Sequence, residues 1–316
     1  MIDNHNIAVV TPCYRETSHI LDVIASIGDE VDKIYVIDDC CPEKTGNYVE
    51  EHCSDGRVVV LYLAENMGVG GATKAGYQAA CQDGMEIIVK IDGDGQMNPE
   101  LIPLIIQPIA EGRADYAKGS RFHDLEHLKA MPATRLFGNA VLSFINKMMS
   151  GYWNIMDPTN GFTAIRTDTL KKIPLDKIED GYFFESDMLF RLSTLRAVVS
   201  DIEMPSKYAD ESSSLNISDV IFSFPGKYLK CFCKRIFYNY FLRDFNVGSL
   251  ELVFGLIMFL FGLVVGIYGW YEAGKVGEYA SSGTVMLAAL PLLIGFQLLL
   301  SFVHFDIANQ PSPRQK

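Results

Sequence analysis

Two aspartates one residue apart stand among glycines in Asp92-Gly93-Asp94-Gly95-Gln96, directly after the apolar run Glu86–Ile91. A turn of this composition offers hard carboxylate oxygens, and Mg2+ or Mn2+ is held by one or two carboxylates completed by substrate phosphates. The plainer alternative is an aspartate-rich turn that holds no ligand. A second pair, Asp38-Asp39, ends the run Lys33–Asp38, where it either caps a turn or faces the same ligand. Arg121 closes Lys118-Gly119-Ser120-Arg121, while Arg135 and Asn139 lie one turn apart on a helix expected to start near Pro132. The arginine fork suits bidentate phosphate contacts. Carboxylates for a divalent cation and arginines for phosphate together point to a phosphorylated substrate.

These residues need a scaffold that gathers them. Short β-branched runs at Ile7–Thr11, Lys33–Asp38, Val58–Leu63 and Glu86–Ile91 alternate with expected helices at Ser18–Ile27, Thr45–His52, Gly71–Gln82 and Pro99–Ala110. That alternation implies an α/β fold with a mainly parallel sheet covered on both faces. Ligands in such sheets bind beyond the carboxyl ends of the strands. Thr11-Pro12-Cys13-Tyr14-Arg15-Glu16, Asp38-Asp39, the glycine-rich Asn66–Gly71 and the Asp92 turn all follow strands. Gly68-x-Gly70-Gly71 lacks the third glycine of a dinucleotide fingerprint, so a nicotinamide cofactor is not expected.

The chain of 316 residues carries a net charge of −12, unevenly distributed. Residues 1–215 hold 19 basic and 33 acidic side chains, and residues 216–316 hold 8 and 6. An acidic main portion argues against nucleic acid as partner. The seven cysteines show no metal spacing and read as reduced thiols. Leu252–Trp270 contains no charged residue, and Ser281–Phe305 is a second long apolar stretch, with Tyr271–Ala280 expected as the loop between them. Each is long enough to cross a bilayer, which takes about 20 residues. Cations flank the outer ends of this hairpin, so both termini are expected in the cytosol. The aromatic and basic stretch Ser218–Phe245 reads as one or two interfacial amphipathic helices broken near Pro225-Gly226. The expected organisation is a catalytic domain over 1–215, juxtamembrane helices over 216–246, and a hairpin over 247–316 with spans near 252–270 and 283–305. Gly262-x-x-x-Gly266 is a close-packing pattern that serves either the hairpin or self-association into a homo-oligomer.

Asp38-Asp39, Asp92-x-Asp94, Gly119-Ser120-Arg121 and Asn160-Gly161-Phe162 together resemble the motif series of GT-A glycosyltransferases of family 2. With two C-terminal spans, the chain is similar to the polyprenyl-phosphate hexose synthases. The resemblance implies a GT-A mixed sheet with helices on both faces, and a metal-dependent, inverting transfer of a hexose from a nucleotide sugar to dolichyl or undecaprenyl phosphate. It carries roles onto single residues. Pro12, Tyr14, Glu16, Asp38 and Asp39 would contact the nucleotide, together with Asp92, Gly93, Asp94 and Gln96. Asp92, Asp94 and Gln96 would hold Mg2+ or Mn2+. Arg121 and Arg135 would gather phosphates, with Asn139 and Lys207 on the acceptor side. Asp157 opens the acceptor-side loop, and Glu185 and Asp187 would stand near the transferred sugar. Arg15 replaces a commoner asparagine, and Tyr208–Ser214 lacks the Arg and Lys of the eukaryote-like mannose synthases. That departure favours UDP over GDP.

A phosphate acceptor is ionised at neutral pH, its second pKa being about 6, so it needs charge compensation more than a base. A hydroxyl acceptor, on a glycolipid or lipid-linked saccharide, would require one, with Asp187 or Asp157 as candidate. A non-catalytic membrane scaffold is the remaining alternative.

Overall fold

The computed structural model describes residues 5–121, 133–204 and 217–312, the side chains of 133–136, 139 and 217–222 excepted. The strands are β1 (Ile7–Cys13), β2 (Lys33–Asp38), β3 (Val58–Tyr62), β4 (Ile87–Lys90), β5 (Tyr116–Ser120), β6 (Thr163–Arg166) and β7 (Val199–Glu203). They form one sheet in the order β3-β2-β1-β4-β6-β5-β7. The strands β3, β2, β1 and β4 run parallel, whereas β6 runs antiparallel to both β4 and β5. β7 is again parallel to β5. The sheet is therefore mixed, as the family resemblance implies, and β6 is the one described strand that runs against the other six.

This topology decides what meets at one edge. The carboxyl ends of β1, β2, β3, β4, β5 and β7 all point the same way, and the inverted β6 starts there. The segment entering β6 thus lies beside the turns that leave its neighbours.

Helices α1 (Ile20–Ala25), α2 (Thr45–His52), α3 (Gly68–Gln82), α4 (Ile102–Ala110), α5 (Ala133–Ser150) and α6 (Phe184–Thr194) complete this unit. Alternation along β1 divides the core: Ile7 and Val9 pack with residues of α1 and α4, while Ala8 and Val10 pack with residues of α3 and α6. Side chains of successive strand residues point to opposite faces, so an apolar run covered on both sides builds two cores.

The chain divides into two compact units, one over Met1–Phe232 with Pro311–Lys316 and another over Cys233–Gln310. Helix α7 (Ile217–Phe237) runs unbroken through Pro225, contrary to the expected interruption. Proline forfeits one backbone bond, but Tyr228 and Cys231 just beyond it are fixed in a cluster with Met149, Phe183 and Phe190. Past Phe237 the chain widens into a π-helical turn over Tyr238–Leu242.

In the second unit, α8 (Val247–Val276) and α9 (Ser282–Ala308) are both long and apolar enough to cross a membrane. They exceed the expected spans, and the connection shrinks to Gly277–Ser281 because Tyr271–Val276 continue α8 until Gly277 ends it in the left-handed conformation. Asn246 and Ser249 form a reciprocal cap at the start of α8. A Cβ on Gly262 would come 2.6 Å from Leu292 N and 2.7 Å from Ala288 O. The glycine pattern therefore lets the two helices of one hairpin approach each other. At the base of the hairpin, Asp306 takes a bidentate pair from Arg235 at 2.6 and 3.0 Å and a 2.6 Å hydrogen bond from Tyr240.

Candidate active site

At the ends of β1 and β2 the acidic residues act first as braces. Asp38 accepts the N–H of Cys41 and of Gly46, each at 2.7 Å, and so closes the turn into α2. Asp39 accepts the N–H of Met67 at 2.7 Å and of Gly68 at 2.8 Å, tying β2 to the start of α3. Burial raises the Asp39 pKa; the Met67 and Gly68 amides work against that, and neighbouring Asp38 adds to it. The glycines of α3 serve packing. Gly70 and Gly71 donate their N–H groups to the Asp180 carbonyl at 2.7 and 3.1 Å. A Cβ on Gly70 would meet Glu179 O at 2.6 Å. Protein carbonyls thus occupy a helix start that could otherwise cradle phosphate.

Pro12 lies buried in β1, Tyr14 is exposed just beyond it, and Glu16 is half-buried. Arg15 has φ +64°, held by its N–H to Cys41 Sγ at 3.0 Å and by the N–H of Glu16 to Thr45 Oγ1 at 3.4 Å. The Arg15 guanidinium lies 5.4 Å from the centre of the Tyr14 ring. Gly93 brings the β4 turn against β1, since a Cβ there would be 3.0 Å from Cys13 Sγ and 3.5 Å from Glu16 Cβ. The nucleotide candidates of β1 and the Asp92 turn are therefore brought together.

Within that turn Asp92 Oδ1 pairs with Lys90 Nζ at 2.6 Å, and Asp94 Oδ1 accepts the Gln96 N–H at 3.0 Å. Asp92 and Asp94 are half-buried and Gln96 is exposed. Among the described residues no group of three or more His, Cys, Asp or Glu is gathered for a metal ion. Two carboxylates and one carboxamide on a short turn still fit Mg2+ or Mn2+, whose remaining positions are filled by water and substrate phosphate.

On the other side of the edge, Arg121 grips Asp157 through Nε at 2.7 Å and Nη2 at 3.2 Å. Asp157 is fully buried while Arg121 is 44% exposed, so the carboxylate anchors a guanidinium that reaches solvent. Glu185 and Asp187 stand in the first turn of α6. Glu185 Oε1 pairs with Lys90 at 3.1 Å. Asp187 is buried, accepting the Glu179 N–H at 3.1 Å and pairing with Arg191 at 3.3 Å. Burial raises its pKa against the opposing pull of Arg191 and the Glu179 amide. Arg135 and Asn139 fall on α5, but their side chains, and Lys207 altogether, lie outside the described residues.

Two site residues escaped the sequence reading, Lys90 and Lys118. Both pair in register with Thr163, so they flank β6 in one row across the sheet. Both are buried. Burial alone would drive the Lys90 proton off, but Asp92 and Glu185 outweigh it and hold the pKa above the ordinary lysine value. Lys118 donates to the Asn160 carbonyl, and burial pushes its pKa down to about 8, with Glu185 and Asp157 opposing the fall. For Lys90 the available signal was a lysine ending an otherwise apolar strand, one residue before the aspartate turn.

A mixed sheet whose strand ends gather an Asp-x-Asp turn, an anchored arginine and an acidic helix start is a GT-A-like arrangement. Residues 8–174 match the family described as Glycosyl transferase family 2, and the chain belongs to that family. An undecaprenyl-phosphate mannosyltransferase of Micrococcus luteus is 30% identical over 208 residues, covering 65% of this chain and 84% of that protein. A UDP-N-acetylglucosamine–dolichyl-phosphate N-acetylglucosaminyltransferase of Methanococcus voltae is 31% identical, covering 52% of this chain and 71% of that protein. Among solved structures, glucosyl-3-phosphoglycerate synthase of Mycobacterium tuberculosis with UDP superposes with a TM-score of 0.54 at 20% identity, covering 73% of this chain and 80% of that one. The same enzyme has been solved with Mn2+ and UDP-glucose. The chain is a glycosyltransferase.

Proposed function

We propose that this enzyme transfers a hexose from a nucleoside diphosphate, UDP in preference to GDP, to a membrane polyprenyl phosphate, inverting the anomeric carbon. The observation that carries the reading is the state of the two candidate bases. Asp157 is fully buried and engaged by Arg121 and by the Thr159 hydroxyl, and Asp187 is buried against Glu179 and Arg191. Neither is presented to an incoming hydroxyl, whereas an ionised phosphate needs no proton removed. A hydroxyl acceptor fits this site less well.

In this reading the nucleotide lies across the ends of β1, β2 and β4, against Pro12, Tyr14, Glu16, Asp39 and Gly93, with Asp38 bracing the turn into α2. Asp92, Asp94 and Gln96 would hold Mg2+ or Mn2+, which when bound neutralises charge on the departing diphosphate. Arg121, aimed by Asp157, faces the phosphates from the opposite side. Arg135 and Asn139, one turn apart on α5, and Lys207 compensate the acceptor phosphate. Glu185 acts through Lys90. A lipid phosphate oxygen attacks the anomeric carbon as the nucleotide leaves from the other face.

Membrane attachment is supported by α8 and α9, and by α5. Phe137, at 72% exposure, and Val141, Phe144 and Ile145 recur at helical spacing and form an exposed apolar stripe on a helix bearing Arg135. Such a stripe suits a lipid surface beside the acceptor phosphate. Flanking cations favour a cytosolic catalytic domain with both termini on that side. The relatives named above differ in sugar, and the sugar is not assigned. The test is transfer from UDP- and GDP-sugars to undecaprenyl phosphate by purified protein, with Mn2+ and with chelator.

A further inference from the structure

Lys90 is 1% exposed and ends β4 one residue before the aspartate turn. An ammonium has three protons, and Nζ faces three acceptors from three separate segments. These are Asp92 Oδ1 at 2.6 Å, Glu185 Oε1 at 3.1 Å and the Gly161 carbonyl at 3.5 Å. Asp92 belongs to the donor side, Gly161 to the acceptor-side loop and Glu185 to α6. Lys118, in line with Lys90 across Thr163, holds the adjacent carbonyl of Asn160, so two buried cations grip consecutive peptide groups of one loop. Gly161 itself lacks room for a side chain: a Cβ there would fall on Asp92 Oδ2 and stand 2.8 Å from Lys90 Nζ. The loop and the aspartate are therefore in direct apposition around the ammonium.

Burying a cation is costly, and an apolar residue of similar volume is usually cheaper for folding. Asp92, partly exposed, could be solvated without a partner, yet its contact with Lys90 is the shorter of the two carboxylate contacts. We propose that Lys90 is a positioning residue, whose ammonium fixes the Asp92 carboxylate against the Asn160–Phe162 loop and so sets the donor diphosphate in register with the acceptor phosphate. This rests on the function proposed above. The competing account is structural: Lys90 merely neutralises buried Glu185.

The two accounts part in a comparison of K90M, E185Q and K90M/E185Q in the full-length chain. Thermal stability and Mn2+-dependent binding of UDP and GDP, by calorimetry without acceptor, are the readouts. Loss of a group supporting a metal ligand weakens affinity by about 10- to 100-fold. K90M/E185Q is expected to melt close to E185Q, because the buried carboxylate is gone and Asp92 is exposed enough to be solvated, and yet to bind nucleotide at least about tenfold more weakly. G161A, which removes no charge but crowds Asp92, is expected to show a similar loss. If K90M/E185Q and G161A bind nucleotide as tightly as E185Q and wild type respectively, the positioning role is overturned. Wild-type protein that binds neither nucleotide with Mn2+ would instead overturn the functional reading on which it stands.

Discussion

Arg121 and Asp157 illustrate how one buried carboxylate can matter without touching substrate. Its bidentate grip orients a half-exposed guanidinium, while the Thr159 hydroxyl donates to Oδ1 at 3.4 Å and the carboxylate stays fully buried. The consequence is a ranking. R135A should nearly abolish transfer by removing compensation of the acceptor phosphate, while D187N should lower it only several-fold, measured as kcat/KM for the lipid; the reverse order would indicate a hydroxyl acceptor. Lys118 gives a pH signature. Its folded pKa of about 8 lies below the ordinary lysine value near 10.4. Below pH 8 both folded and unfolded chains carry the proton, and the burial penalty stands in full. Between these values the unfolded chain binds more protons, so this residue's contribution to stability rises with pH. Any thermal advantage of K118M over wild type should therefore be greatest near pH 7 and shrink towards pH 10, read from melting curves. Arg15 carries a positive φ that asparagine tolerates better, and R15N should stabilise the fold by about 1 kcal/mol, seen as a raised Tm. The aspartate turns and Arg121 were legible because their types and their place after strands are local facts. Lys90 and Lys118 were not, because their meaning comes from Thr163, Asn160 and Glu185, which are remote in the chain.

At the level of elements, the four strands β1 to β4 and the helices between them followed from the alternation of β-branched runs with longer intervening segments. The inverted β6 did not, since Thr163–Arg166 is four residues whose direction is decided by its neighbours. That strand matters most to the site, because its reversal delivers Asp157–Phe162 to the edge where the other strands end. The interruption expected at Pro225 failed for a related reason: packing of Tyr228 and Cys231 outweighs one lost backbone bond. In the hairpin, the glycine spacing was readable but its purpose was not. G262L should force α8 and α9 apart, because even a Cβ at this position approaches the backbone of Leu292 and Ala288. A clear fall in the detergent-solubilised melting temperature is expected, and an unchanged value would deny that the glycine seam closes the hairpin.

Across the whole molecule, charge and hydropathy follow chemistry. An acidic portion with 33 carboxylates handles an anionic donor only if cations intervene, and the described site offers an oxygen-rich turn for one and an anchored arginine for another. The two long apolar helices, whose sequence is nearly free of charge, suit an acceptor that never leaves the bilayer. Their existence was evident from composition alone, whereas the length of α8 depended on the caps at Asn246 and Gly277. The most direct measurement is the product formed when purified enzyme, UDP- and GDP-sugars and undecaprenyl phosphate are mixed with Mn2+. An inverted hexosyl phosphodiester, absent with chelator, is the predicted result. Transfer to a sugar or lipid hydroxyl, with undecaprenyl phosphate left inert, would contradict the account.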